Sequence, residues 1–373
     1  MNMKKAIIIP DSFKGTLSSA QICAIVAERL LAHFPQCEVV CIPVADGGEG
    51  TMDAFLASVG GEKIHRTVKG PFFADMQAPF AVTPDGIGIV ETAVCAGLPL
   101  VGDRKDPLRT TTYGVGQLIA AAIEYGCKKI IVGLGGSATN DCGAGMAAAL
   151  GTVFYKKDGS TFIPTGGTLC EIDRIQKAPL PDDVQIIAMC DIDNPLYGEN
   201  GAAYVFAPQK GADAQAVKLL DDGLRHATDC IQRDLQTDVS TLPGGGAAGG
   251  LGAGMYAFCG AALQSGIETV LDTVSFDTLL DGADIVFSGE GKLDSQSLGG
   301  KVVIGIAAHC KRKNVPLVAI VGGAERELPQ VYDTGVTAVF PIGRLPEDFS
   351  VSRFKSEINL YETADNIMRL LKL

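Results

Sequence analysis

Six times along this chain a run of apolar residues stops at a short loop of Gly, Ser, Thr and acids. Ala6-Ile7-Ile8-Ile9 ends at Pro10-Asp11-Ser12-Phe13-Lys14-Gly15-Thr16, and Val39 to Val44 ends at Asp46-Gly47-Gly48-Glu49-Gly50-Thr51. Lys129-Ile130-Ile131-Val132 runs into Gly133 to Asp141, and Ile186 to Met189 into Asp191-Ile192-Asp193-Asn194-Pro195. Ile285 to Phe287 leads to Ser288 to Asp294, and Val318 to Val321 to Gly322-Gly323. Runs of this length, bounded by turn residues, predict buried strands. Most feed a stretch with helical spacing. Ser18 or Ser19 can cap a helix over 20–34 with Ile22, Ile25, Val26 and Leu30 on one face. Further helices are expected after Thr51 and over about 114–125, 143–150, 214–235 and 354–371. Strands alternating with helices build parallel βαβ units, whose ligands bind outside the carboxyl ends of the strands, where these loops gather.

The rhythm breaks between residues 70 and 284. Pro71, Pro79 and Pro84 punctuate short alternating runs that read as hairpins, residues 155–183 are polar and turn-rich, and 244–254 is mostly glycine. The expected fold is therefore α/β. A Rossmann-like parallel-sheet domain is assembled from both ends (residues 1–70 and 284–373), with a second α/β domain (71–283) inserted and the active site in the cleft between them.

The fullest loop is Gly133-Leu134-Gly135-Gly136-Ser137-Ala138-Thr139-Asn140-Asp141. Its glycines leave backbone N–H groups bare ahead of a helix, where the dipole favours anions, and Ser137, Thr139 and Asn140 add side-chain donors. Asp141 brings a carboxylate that would repel a bare phosphate, so a divalent cation is expected between them.

Composition narrows the function classes. With 373 residues, 47% hydrophobic and 20% charged, the chain has the make-up of a well-buried α/β enzyme and room for two domains. A net charge of −12 without a basic stripe argues against nucleic acid as a partner. No apolar run is long enough to span a membrane, and eleven cysteines without a CxxC suit a reducing compartment, so a soluble, cytoplasmic protein is expected. The histidines are too scattered for a zinc site. Gly244-x-Gly246-x-x-Gly249 matches the dinucleotide spacing, but no apolar strand precedes it. There is no GxxxxGK[ST] and no GxSxG.

Six segments, in order along essentially the whole chain, resemble those of the bacterial glycerate kinases of the first type. They are Pro10 to Lys14, Ala45 to Thr51, Thr110-Thr111-Thr112-Tyr113-Gly114-Val115-Gly116, Gly135 to Asp141, Pro208-Gln209-Lys210-Gly211-Ala212, and Gly289 to Ser297. The resemblance implies transfer of the ATP γ-phosphoryl group to D-glycerate with Mg²⁺, favouring O2 over O3, in a monomer or homodimer. Three positions depart from the family pattern: Gly15 stands where Glu is common, Cys142 where Gly is common, and Lys292 where Arg is common. Lysine is a point charge, whereas arginine grips phosphate with a planar fork.

Phosphoryl transfer rests on positioning and charge neutralisation. Phosphate donors are expected from Gly135, Gly136, Ser137 and Thr139, with Lys14 or Lys292 as the cation. Asp46 and Asp294 are the expected Mg²⁺ ligands and Glu290 the reserve, since Mg²⁺ takes one or two carboxylates. Asp191 is the expected base for the substrate hydroxyl, Asp11 the second candidate, and Lys14 joins them in the catalytic set. Ser12, Arg109 and Thr111 are expected to hold the substrate carboxylate. Local roles remain open to several of them: Asp191 can cap the turn before Pro195, Asp46 the helix after Thr51, and Arg109 can pair with Asp103 or Asp106. The glycines of 244–254 can serve close packing alone. A Mg²⁺-dependent phosphatase acting on a small acid would use the same loops without ATP.

Overall fold

The structure is a computed structural model that describes residues 3–45, 47–295, 297, 302–325, 328–345 and 347–373. Asp46 and Gln296, both in segments quoted above, lie outside the described residues. The fold is mixed α/β with largely parallel sheets.

The chain divides into two compact units. The first comprises residues 1–45, 53–59 and 267–373, the second 46–52 and 60–266. The division falls near residues 60 and 266. Glu62–Lys69 is the outer strand of a hairpin with Asp75–Val82, so it goes with the second unit's sheet.

In the first unit five parallel strands run in the order Val336–Pro341, Leu317–Val321, Ile285–Gly289, Lys5–Pro10, Glu38–Cys41. Leu317–Val321 and Ile285–Gly289 are buried throughout, as unbroken apolar strands covered on both faces must be. The helix Ser19–His33 starts at a capping box: the Ser18 hydroxyl accepts the Gln21 N–H, and the Gln21 side chain accepts the Ser18 N–H. It buries Ile22, Cys23, Val26 and Leu30 against a core that includes Ile8, Phe287, Leu360 and Ile367. Val302–Lys313 ends in Lys311, Arg312 and Lys313, where cations complement the helix dipole.

The second unit has a six-stranded sheet in the order Ala262–Gln264, Gln185–Met189, Lys129–Gly133, Ile87–Glu91, Asp75–Val82, Glu62–Lys69. The first four strands are parallel and the last two form the expected hairpin. Helix Tyr113–Tyr125 ends at Gly126 in the left-handed region, and Ala214–Leu235 starts at an Asp213 cap. The polar stretch 155–183 carries structure that its pattern hid. Thr161–Phe162 and Arg174–Gln176 both pair with Val153–Tyr155, in strands too short to show alternation.

Candidate active site

In the second unit Gly133 ends a central strand, in register with Glu91 on one side and Met189 on the other. The glycines after it allow close backbone approach. A Cβ on Gly133 would lie 2.5 Å from the Gly47 carbonyl oxygen, and one on Gly135 2.5 Å from the Gly48 Cα. The Gly135 N–H, expected bare, donates to the Gly47 oxygen at 2.9 Å. Among the described residues no acceptor meets the N–H of Gly136, Ser137, Thr139 or Asn140. Gly136 is exposed, with φ +73°.

Beneath this loop lies a cation that the sequence reading left without a role. Lys210, only 3% exposed, donates from Nζ to the Ser137 hydroxyl at 2.9 Å and to the Thr139 carbonyl at 2.7 Å. Burial pushes its amine down to about 7, against the opposing pull of the Asp141 carboxylate. Asn140 is fully buried, and among the described residues neither its amide oxygen nor its amide nitrogen has a partner. An orphaned buried amide costs about 1–3 kcal/mol, which a polar ligand would recover. Pro208 to Ala212 is one of the family-like segments, but the burial that gives Lys210 its meaning is a tertiary property.

Asp141 has a different task from the one expected. Its buried carboxylate accepts from the Thr112 N–H (2.8 Å) and hydroxyl (2.9 Å), the Gly143 N–H (3.2 Å) and the Gly145 N–H (3.3 Å). Burial raises its pKa despite these donors. The carboxylate thus braces the starts of helices Tyr113–Tyr125 and Ala144–Ala149 rather than facing a metal. Thr111 is also buried, its hydroxyl accepting the Tyr113 N–H at 3.1 Å. Arg109 is exposed, and no described acid pairs with it.

The glycine-rich stretch packs against this loop. A Cβ on Gly249 would lie 2.0 Å from the Thr139 oxygen, and one on Gly254 2.4 Å from the Cys142 oxygen. The Cys142 N–H donates to Gly249 at 3.1 Å. Asp191 follows the neighbouring strand. It is exposed, and its Oδ1 accepts the Gly266 N–H at 2.7 Å, a capping contact distant in sequence from the Pro195 turn.

In the first unit, Pro10 and Gly289 end adjacent strands in register, so Asp11 and Glu290 leave the sheet side by side. The Asp11 N–H donates to the Gly289 oxygen at 2.8 Å, and its Oδ1 accepts the Ser12 N–H at 2.6 Å. Lys14 is exposed, its backbone nitrogen 3.4 Å from where a Cβ on Gly291 would lie. Glu290 is 5% exposed, whereas Lys292 is exposed and pairs with Asp294 at 3.3 Å. Among the described residues no three His, Cys, Asp or Glu gather as a ready-made metal cage. Magnesium does not require one: two carboxylates at neighbouring strand ends supply the hard oxygens it takes, beside waters and phosphates. Asp11 and Glu290 fit that donor chemistry, while Asp46 lies outside the described residues.

Acids and glycines at the carboxyl ends of parallel strands, with a buried lysine beneath one loop, suit a phosphate-handling enzyme, and comparison with known proteins defines the class. The sequence model of the glycerate kinase family matches residues 6–372. The chain belongs to that family and is an enzyme, a kinase. It is 40% identical to a glycerate kinase of Bacillus cereus, over 99% of this chain and 98% of that one. It is 41% identical to the glycerate 2-kinase of Escherichia coli K12, over 92% and 93%. A crystal structure from Salmonella typhimurium LT2, assigned as glycerate kinase 2, superposes with a TM-score of 0.87 at 38% identity, covering 100% of this chain and 99% of its own. Among the described residues no helix is long and apolar enough to cross a membrane.

Proposed function

We propose that the protein transfers the γ-phosphoryl group of ATP to O2 of D-glycerate, with Mg²⁺, giving 2-phosphoglycerate. The observation that carries the reading is the Gly136–Asn140 loop, with backbone donors open, an orphaned buried amide and a lysine beneath. Such a loop favours an anion. The kinship with a glycerate 2-kinase supports the acceptor and its hydroxyl.

Asp191 takes the proton of the acceptor hydroxyl, with Asp11 the second candidate. Arg109, exposed beside the Thr110–Thr112 segment, meets the substrate carboxylate, and Ser12 adds a hydroxyl. Gly136, Ser137 and Thr139 hold phosphate oxygens through their N–H groups, and Lys14 and Lys292 supply mobile positive charge. Asp294, Glu290 and Asp46 are the carboxylates for the cation. Bound magnesium would neutralise charge gathering on the phosphate oxygens.

Purified protein incubated with ATP, Mg²⁺ and D-glycerate should yield phosphoenolpyruvate when enolase alone is added. A requirement for phosphoglycerate mutase would move the acceptor to O3. Phosphate released without ATP from a phosphorylated acid, or a rate indifferent to EDTA, would overturn the kinase reading.

A further inference from the structure

Two features of the second unit are left without a role by the reaction described so far: the buried Lys210 ammonium and its two fixed partners, and the unpartnered amide of Asn140 in the same loop. An ammonium group has three protons and no lone pair, so at the 2.9 Å contact Lys210 must donate and the Ser137 oxygen must accept. The hydroxyl then keeps its own proton for some other acceptor. The second bond, to the Thr139 carbonyl at 2.7 Å, stops the ammonium from swinging away.

We propose that Lys210 is a positioning residue of this loop, holding the Ser137 hydroxyl as a donor to a phosphate or carboxylate oxygen of the bound ligand. The inference rests on the reading that the loop receives an anion. The buried Asn140 amide is an independent sign of a polar ligand there, because both of its ends await partners.

The arrangement is sensitive to protonation. A neutral lysine amine carries a lone pair that can accept the Ser137 hydroxyl proton, turning the donor inward and removing it from the ligand. Burial brings this change to about 7, with Asp141 favouring the charged form. Two further charged side chains near the Lys210 turn are exposed: Lys105, whose backbone lies against Gly211, and Asp213, which caps the following helix. A bound anion favours the ammonium, so its ligand enters with a proton.

Calorimetric titration of the full-length protein with MgATP and with D-glycerate separately, at pH 7.5 in two buffers of different ionisation enthalpy, tests this. One of the two ligands should bind with net proton uptake, the identity of that ligand telling phosphate from carboxylate. Its affinity should weaken as pH rises from 7 to 9, approaching roughly tenfold per unit. Lys210→Met should abolish the uptake and weaken that ligand about tenfold or more, leaving the other within about twofold. In a Ser137→Ala background the same change should cost far less, since the lysine acts through the hydroxyl. Binding of both ligands without proton uptake, or additive effects of the two substitutions, overturns the proposal while leaving the kinase intact. If Lys210→Met fails to fold, the wild-type pH and buffer dependence alone decides. If neither ligand binds, the functional reading falls and this inference with it.

Discussion

At the scale of single residues, chemistry-bearing side chains and structural ones look alike in sequence. Asp141 and Asp191 both follow apolar strands, and the sequence offers both as candidate functional acids. Four donors fully engage buried Asp141, whereas Asp191 is exposed and capped by a distant N–H. Asp191→Asn tests the difference. It keeps size and capping ability while removing the base, so kcat should fall roughly 10²–10⁴-fold with little change in melting temperature. Near-normal kcat would transfer the base role to Asp11; a steep rise in the Mg²⁺ needed for half-maximal rate would make Asp191 a metal ligand. Lys210 shows the opposite limit. Its residue type and motif were visible, but nothing local says that it is 3% exposed and points at Ser137.

At the scale of elements the sequence was most informative where periodicity ran long. Helix Ser19–His33 emerged from apolar spacing and its serine cap, and Ala214–Leu235 from its length of helical pattern. The three short strands within 153–176 did not, because pairs of two or three residues carry no period. The glycine-rich stretch was visible as a feature and ambiguous in purpose. It forms helix Ala247–Cys259 with Ala248, Gly249 and Gly250 outside helical geometry, and its glycines meet the Thr139–Gly143 backbone. Gly249→Ala places a Cβ 2.0 Å from the Thr139 oxygen at a φ of +71°. Unfolding should become easier by roughly 2–4 kcal/mol, with KM for the loop's ligand rising too. Chemical denaturation and steady-state kinetics read both; an unchanged midpoint would mean that the loop gives way without penalty.

At the scale of the whole molecule, the α/β class could be read in advance from strands alternating with helices. The pairing of strand Glu62–Lys69 with Asp75–Val82 follows from the hairpin between them, which the local texture alone does not fix. One buried charge also marks the global pH profile. The Lys210 amine sits lower in the folded state, about 7, than its usual 10.5, so between these values the unfolded chain binds more protons and stability rises with pH. From pH 6 to 8, below the range where thiols ionise in the unfolded chain, this group adds on the order of 1 kcal/mol. Scanning calorimetry at low protein concentration should show wild-type melting rise by roughly one to two degrees relative to Lys210→Met. Parallel profiles for the two proteins would place the lysine in a wetter setting.

The strand pairing of the first unit also bears on how the chain is made. Lys5–Pro10 lies between Ile285–Gly289 and Glu38–Cys41, and the Ser288 hydroxyl bonds to Ile9 across 279 residues of sequence. On a ribosome adding about 5–20 residues each second, that strand waits roughly 15–60 s for Ile285–Gly289 to follow it. Throughout that interval one edge of a strand of buried isoleucines is open to any passing nascent chain. The second unit has its own core and most of its sheet-forming residues in one continuous stretch, so it can close while the first still waits. Birth of this enzyme is therefore a race between making Ile285–Gly289 and finding the wrong partner.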